Sequence, residues 1–528
     1  MDESSRLWRA VACVLLSSVA QGVCYYQLNT ETGDASAVGT LDLSVAALAE
    51  SSSMLYWFGA LGCLLTRMII ERFGRRACLL VSDALFVLGA ALGAATPRAA
   101  AQLCARSVVG LALGLSNTAV PTLLAECAPA RRRGLVCATH PLCLVLGEWL
   151  CCVVGWATVS RASWGWRAVS ALVGAPCALQ LLFACTLPES PRWLLRAHGP
   201  RACADGLRAL GLTPSNALLT RAAADTAAPT AAAAGPSAAP ADDASEISSN
   251  ASADDPVTWD ELFDSRFQIA VCLTLVTLQP LSGNTVVMSY STELFDDVDM
   301  TVPLGATMIV VTLSSISVIA SAFAIDGVGR RPMLLGALIA QAAGALIAGT
   351  ALLENCPSGP ARDALVIGGV SLFKAAYSVG LGTVPMLLMS ELLDNRLRGS
   401  ISATVYSWNF VVNGAVALGA LSLIATLADG ALALGVGRAL VIFAAVCAFG
   451  FSFVFAFVDE TNGQSLEEIS RRVTSARRSP NRDETEAVCR EDEDGETVPM
   501  LNPMSTAPIV SEARAPSRAY SQSMGDSS

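Results

Sequence analysis

Charged residues able to form ion pairs recur in two matching sets, one in each half of this 528-residue chain. Glu71–Arg76 reads ERFGRR, and Asp326–Arg331 reads DGVGRR. Glu126 and Glu391 are each followed, at one and the same spacing, by an Arg-Gly pair. Carboxylates and guanidinium groups make strong charge-assisted hydrogen bonds. The repeat therefore predicts equivalent salt bridges in two halves that share one architecture.

The residue types of the sequence give little indication of a catalytic site. The chain has two histidines, His140 and His198, with no ligand-spaced cluster and no nucleophile–base arrangement. Lys374 is the only lysine, and it does not follow a glycine, so the chain has no phosphate-binding P-loop for ATP. The seventeen cysteines form no CxxC pair and are interpreted as small apolar packing residues. We expect no enzyme, no cofactor and no metal site.

The elements that must hold the charged motifs are long apolar segments. The chain is 53% hydrophobic and only 15% charged. About 20 apolar residues in a helix cross the hydrocarbon core of a bilayer, and helix satisfies the backbone there. The sequence predicts an all-α polytopic membrane protein with 12 transmembrane helices as two six-helix halves. The expected spans are 7–26, 44–66, 77–95, 101–124, 135–159, 167–187, 267–288, 303–325, 333–353, 364–389, 401–426 and 438–458.

Arginine placement predicts the topology. Arg72, the Arg131–Arg133 run and Arg330 all fall in alternate loops, and an excess of arginine in short loops marks the cytosolic side. Both termini are thus expected in the cytosol, and the plasma membrane is the expected location. The predicted domains are an N-terminal six-helix bundle (1–195), a partly disordered cytosolic linker (196–265), a C-terminal six-helix bundle (266–460) and a mostly disordered tail (461–528).

The ordered set of motifs resembles the sugar porter family of the major facilitator superfamily, over about residues 44–195 and 262–470. The matching motifs are Pro121–Gly134, Gly165–Arg167, Pro188–Trp193, Leu281–Gly283, the pair Gly380 and Gly382, and Glu460–Ile469. The resemblance implies the major facilitator fold and alternating access. It also implies a cytosolic gate made of Arg75, Arg76, Glu126, Arg133, Glu189, Arg192, Arg330, Arg331, Glu391, Arg398 and Glu460.

The substrate contacts depart from this family more than the gate does. Positions where the family carries amide or tryptophan side chains hold Pro141, Thr285, Ser314 and Met386. Each sugar hydroxyl left without a partner costs about 1–3 kcal/mol, so either other residues substitute or the substrate is not a standard hexose. The expected substrate contacts are Gln279, Asn284, Thr285, Ser314, Trp408, Glu148 and His140.

Three ionisable residues at membrane depth are candidates for energy coupling. Glu148 follows Gly147 and is expected to face the cavity, where it could carry a proton or pair with Arg106. Lys374 could bind an anionic substrate or pair with Glu148, although the favoured interpretation takes its ammonium to the outer surface. His140 is more simply a polar packing residue beside a proline. Tyr26 occupies the position where proton-coupled relatives carry an aspartate, which favours facilitated diffusion.

The predicted function is therefore a secondary transporter of a sugar, a hexose or related polyol, by alternating access and facilitated diffusion rather than proton symport. The alternatives are a sugar sensor that binds with little transport, and a carrier of a non-sugar small organic solute. The expected partners are a small-molecule substrate, the lipid bilayer and cytosolic regulators at the C-terminal tail, with no nucleic acid.

Overall fold

The helices of the chain account for the apolar segments of the sequence. The structure is a computed structural model, and it describes residues 3–31, 45–95, 98–129, 133–158, 164–212, 265–296, 303–353, 359–392, 395–428 and 432–460. Within these residues all regular secondary structure is helical, as predicted. Eleven segments of the described chain are long and apolar enough to cross a bilayer. The remaining expected span is covered by the helix Gly165–Leu182, which has 18 residues and packs beside three of the eleven.

The helices divide into two sets, one on each side of the region 213–264. This region, which contains the centre of the predicted linker, and the predicted tail both lie outside the described residues. The N-half, residues 3–212, contains α1 (Glu3–Glu31), α2 (Val45–Phe73), α3 (Arg75–Ala95), α4 (Ala99–Cys127), α5 (Arg133–Thr158), α6 (Gly165–Leu182), α7 (Pro191–His198) and α8 (Pro200–Ala209). The C-half, residues 265–460, contains α9 (Arg266–Leu281), α10 (Asn284–Asp296), α11 (Pro303–Val328), α12 (Arg330–Leu353), α13 (Pro360–Val379), α14 (Val384–Leu392), α15 (Asn395–Leu427) and α16 (Leu432–Phe457).

Two predicted spans of the C-half are broken near their middle. The span expected at 267–288 consists of α9 and α10, which meet at Gly283, and the span expected at 364–389 consists of α13 and α14. Gly283 has φ +96°, and a Cβ there would overlap the ring of Phe443. Such a backbone conformation favours glycine, and Pro280 removes one helical hydrogen bond just before it. The breaks place backbone groups outside regular helix in the interior of the bundle, where turns and side chains must supply their hydrogen bonds.

The two halves meet along three helix pairs: α1 with α10, α2 with α15, and α5 with α11. We call the end of the bundle that carries the turns at Gly74 and Gly329 the latch face, and the other end the opposite face. Towards the opposite face, the buried apolar clusters contain residues of both halves; for example, Leu28 and Leu48 belong to the same cluster as Tyr290. At the latch face the buried clusters around Leu123 and around Met389 each belong to one half. The halves are therefore joined mainly between the centre of the bundle and the opposite face.

Glycines allow helices within the N-half to approach closely. A Cβ on Gly110 of α4 would overlap the carbonyl oxygen of Leu55 on α2, and a Cβ on Gly114 would overlap that of Gly59. Small residues at such contacts let the backbones of membrane helices pack tightly. The α2–α4 contact is thus fixed by sequence, and with it the orientation of the arginine turn that follows α2.

We predict that Gly110→Ala destabilises the N-half, because the added methyl group forces α2 and α4 apart at a cost of about 1–3 kcal/mol. The measurement is thermal unfolding of the purified protein in detergent, followed by tryptophan fluorescence. Gly336→Ala is the matched control, since Gly336 lies within α12 and nothing is found within 4 Å of its added Cβ. Equal melting temperatures for the two variants would contradict the predicted close contact.

Candidate functional site

Each turn of the latch face carries a cluster of charged residues, which we call a latch. The first latch lies at the turn between α2 and α3. Gly74 has φ +91°, and the backbone N–H groups of Arg75 and Arg76 that follow it donate to the carboxylate of Glu189 at 2.9 and 3.2 Å. The Arg75 guanidinium forms a salt bridge with Glu126, in which Nη2 donates to Oε1 at 3.0 Å and Nε lies 2.9 Å from Oε2. One arginine turn therefore joins α3, the end of α4 and the segment after α6.

The second latch repeats this geometry in the C-half. Gly329 has φ +94°, and the N–H groups of Arg330 and Arg331 donate to Glu460 at 2.9 and 3.0 Å. The Arg330 guanidinium contacts Oε1 of Glu391 through Nη2 at 3.1 Å. Glu189 and Glu460 thus occupy equivalent places, although their sequence motifs match each other only weakly.

Both latches combine an ion pair with a capped helix. A carboxylate at a helix N-terminus is stabilised by free N–H groups and by the helix dipole. The ion pairs are partly desolvated, with side-chain exposures of 13% for Arg75 and 13% for Glu126. Removing one partner of such a pair costs more than the roughly 0–1 kcal/mol of a surface pair, because the remaining charge is left without compensation. Each latch lies within one half, so its contacts make that half more rigid.

The other predicted gate residues contribute differently. The Arg76 guanidinium donates to the carbonyl oxygen of Ala184 at 2.9 Å, and Arg192 is exposed on α7. The side chains of Arg133 and Arg398 lie outside the described part of the structure. The gating role of the whole set stays a prediction.

Lys374 lies in the interior of the bundle, and the favoured interpretation that its ammonium reaches the outer surface is wrong. Its side chain is 3% exposed, and Nζ donates to Oδ1 of Asn284 at 3.0 Å. The rings of Tyr26 and Tyr377 lie 5.9 and 5.4 Å from the ammonium, within cation–π range. The hydropathy pattern fixed the ends of this span too loosely to distinguish the two positions.

Four of the buried ionisable groups at membrane depth have a neighbour of opposite charge, whereas a fifth, Asp83, accepts a hydrogen bond from the Ser17 hydroxyl at 2.7 Å. Glu148, 7% exposed, interacts electrostatically with Lys374 across the two halves. Arg106 interacts instead with Glu31 in the N-half. Glu31 is 3% exposed and accepts hydrogen bonds from Gln27 and Ser170 at 2.8 and 2.6 Å. Of the two partners considered for Glu148, the structure therefore selects Lys374.

Amide side chains connect the two broken spans of the C-half with α15. Gln279 donates to the carbonyl oxygen of Leu381 at 2.6 Å and accepts from Nδ2 of Asn409 at 2.8 Å. Asn413 contacts Asn409 at 3.0 Å and accepts from the Thr285 hydroxyl at 2.5 Å. Two predicted substrate contacts, Gln279 and Thr285, thus belong to one network that also satisfies the backbone at the break between α13 and α14.

Three other predicted substrate contacts lie elsewhere. Trp408 is 46% exposed, and its indole N–H donates to Thr277 at 2.9 Å, at the edge of the α9–α15 contact. Nδ1 of His140 pairs with the Ser18 hydroxyl at 2.8 Å inside the N-half, in keeping with a packing role. Ser314 pairs with Ser378 at 2.7 Å.

Sequence reasoning missed several polar residues of this region. Asn409 and Asn413 are four residues apart in an apolar helix, so both amides lie on one face of it. This spacing could have been used to predict a polar site on that face. Glu31 follows Gln27 at the same spacing, but it lies beyond the expected end of its span. Nothing in the sequence distinguishes Tyr26 as a neighbour of Lys374.

Hydrogen bonds across the halves lie between the centre and the opposite face. Asn29 of α1 donates to Ser291 of α10 at 2.8 Å. Ser407 of α15 donates to the carbonyl oxygen of Ala60 in α2 at 3.1 Å. Together with the mixed apolar clusters, these bonds close the opposite face while the latch-face clusters stay within one half. This is the arrangement expected of two bundles that open towards the latch face.

Comparison with known proteins decides the family. Residues 15–472 match the profile of the family described as sugar (and other) transporter. The chain belongs to this family. The chain is 29% identical over 415 residues to Membrane transporter D1 of Leishmania donovani, covering 75% of this chain and 68% of that protein. It is 26% identical over 486 residues to Sugar transporter ERD6-like 18 of Arabidopsis thaliana, covering 90% and 93%.

A solved structure confirms the fold of this transporter. The inward-open xylose transporter XylE from E. coli superposes with a TM-score of 0.67 at 21% identity, covering 88% of this chain and 99% of that one. The same bacterial protein, described as a major facilitator proton:xylose symporter and bound to 6-bromo-6-deoxy-D-glucose, superposes with a TM-score of 0.69 at 22% identity. The chain therefore has the major facilitator fold of two six-helix halves.

We predict that Glu126→Gln or Glu391→Gln slows transport, because each change removes the charge that ties an arginine turn to the neighbouring helix. A loss of about 1–2 kcal/mol at a latch corresponds to a factor of roughly 5–30 in the balance between two packings. The measurement is the initial rate of uptake by purified protein in liposomes, with the amount of inserted protein determined in parallel.

Glu71→Gln is the control for this prediction. Glu71 lies at the same end of the bundle, but its pair with Arg67 is exposed, with Glu71 66% accessible. Uptake by the latch variants equal to that of Glu71→Gln would contradict a gating role.

Proposed function

We propose that this chain moves a sugar, a hexose or related polyol, across a membrane by alternating access. The observation that carries the proposal is the polar cluster around Lys374, Asn284 and Glu148, which lies between two halves that are joined on one side of it. A solute bound there contacts both halves and changes neighbours when the halves rock. The sugar names of curated relatives support the substrate class.

Facilitated diffusion is the proposed mode of transport. The buried carboxylates of Glu31 and Glu148 each have a cation beside them, Arg106 and Lys374. The site is therefore neutral without added protons. A neutral solute can enter such a site with no accompanying ion, whereas burying an unmatched charge is expensive.

The orientation and location are also proposals. We propose that the latch face lies in the cytosol, because Arg72, Arg75, Arg76, Arg330 and Arg331 all belong to the two turns of that face. Both termini then lie in the cytosol, and cytosolic regulators are the proposed partners of the tail after residue 460. The plasma membrane is the proposed location.

We predict saturable uptake of a neutral hexose or polyol by purified protein in liposomes, with no change in internal pH. The measurement combines labelled-solute uptake with a pH-sensitive dye trapped inside the liposomes. Acidification in step with uptake would show proton symport instead. Saturable binding without flux would show a sensor, and flux confined to solutes without hydroxyl groups would contradict the sugar assignment.

A further inference from the structure

Two opposite charges face each other across the halves without touching. Glu148 lies on α5 and Lys374 on α13, and both side chains are more than nine-tenths buried. They attract each other electrostatically, yet the contacts of the described residues include no direct salt bridge between them. The two charges are therefore near each other without being bonded to each other.

Backbone packing holds both side chains in place. Gly147, the residue before Glu148, packs against the carbonyl oxygen of Val19 on α1 so closely that a Cβ would overlap it. On the other side, Gly369 of α13 packs against the backbone of Ala348, where a Cβ would approach the amide nitrogen to 2.7 Å. The carboxylate and the ammonium are thus presented from rigid helices of opposite halves.

Polar and aromatic groups surround the pair. The Lys374 ammonium has three donors, of which one reaches Asn284. The hydroxyl of Tyr26 is buried and finds no hydrogen-bond partner among the described residues, although it lies near enough to Glu148 to interact electrostatically. A buried polar group without a partner is costly. This hydroxyl therefore points to a ligand that is polar on the side facing the pair.

The charge balance of the site selects the class of ligand. Glu148 and Lys374 together contribute no net charge, and Glu31 beside Arg106 contributes none. An anionic or a cationic solute would bring an unmatched charge into a buried site, and the effective penalty is several kcal/mol per ion. A neutral solute avoids this penalty. Hydroxyl groups suit the site because each can donate to a carboxylate and accept from an ammonium.

We propose that Glu148 and Lys374 together bind neighbouring hydroxyls of a neutral sugar or polyol, with Glu148 accepting one hydrogen bond and Lys374 donating another. The Tyr26 hydroxyl supplies a third contact. The inference rests on the proposed function, since it specifies the substrate contacts of the same path. It also explains how a site with few free amides holds a polyhydroxylated solute: the donor comes from one half and the acceptor from the other.

The first test needs no variant. Purified protein in liposomes is given labelled glucose, the neutral polyol sorbitol, the anion glucuronate and the cation glucosamine, each at the same concentration. Uptake of glucose or sorbitol at least 10-fold above that of both charged solutes is the expected result. Preference for glucuronate or glucosamine would overturn the inference, while leaving a sugar carrier intact. Uptake of none of the four would instead count against the proposed function.

The second test separates substrate binding from a purely structural ion pair. The double variant Glu148→Gln with Lys374→Gln has no charge, but each amide can still donate and accept. The double variant Glu148→Leu with Lys374→Met has similar size and no hydrogen-bonding capacity. Neither buries an unmatched charge, so both are expected to fold, as checked by size-exclusion elution and melting temperature.

The KM for the transported neutral solute distinguishes the two double variants. The amide variant is expected to stay within about 10-fold of the wild-type KM. The apolar variant is expected to raise KM by a further factor of roughly 10–100, as for the loss of two hydrogen bonds of about 1 kcal/mol or more each. Equal KM values for both variants, in protein of normal stability, would show that the pair does not touch the substrate.

Discussion

The ion pairs buried or half-buried in this bundle organise the rest of the molecule, although one fully buried carboxyl, Asp83, accepts a hydrogen bond from Ser17 instead of facing a cation. Removing one member of a buried pair costs about 3–5 kcal/mol, because the remaining charge is left without compensation. Arg75 with Glu126 and Arg330 with Glu391 fix helices inside one half. Glu148 with Lys374 relates the two halves to each other. The first kind makes two rigid bodies, and the second lies at the surface between them.

The two halves have the same structure at the latches but differ at the centre of the bundle. Glu189 and Glu460 cap α3 and α12 in the same way, so the ends of the two halves are built alike. The breaks at Gly283 and near Leu381 belong to the C-half, whereas α1 and α4 of the N-half continue through the same depth. Broken helices expose backbone groups at the membrane centre, and Gln279 satisfies one of them. The two halves therefore differ most at their centre, where the C-half has broken helices and the N-half has continuous ones.

Hydropathy and the repeated motifs predicted the helices and the latches, because both depend on short-range pattern. The sequence could also place Glu148 inside the bundle, since Gly147 marks a close helix contact. The sequence could not show which charged residues pair with each other, since Lys374 was expected at the surface and Glu31 was not considered. Which charges meet depends on helix rotation and on where a span begins. A shift of one residue turns a helix by about 100°, well within the uncertainty of a span read from hydropathy.

The position of the central pair relative to the joined side of the bundle has a mechanical consequence. Asn29 with Ser291 and the mixed apolar clusters hold the opposite face together, so the halves can separate there only if these contacts are replaced. Glu148 and Lys374 lie on opposite halves and are both buried, so rocking of rigid halves changes the distance between these two groups. A solute held by groups from both halves keeps part of its binding while the outer contacts exchange, so its release is not required before the halves rock. A ligand favours a state only by binding it more strongly, and a bridging solute therefore favours whichever state lets Glu148 and Lys374 reach it together.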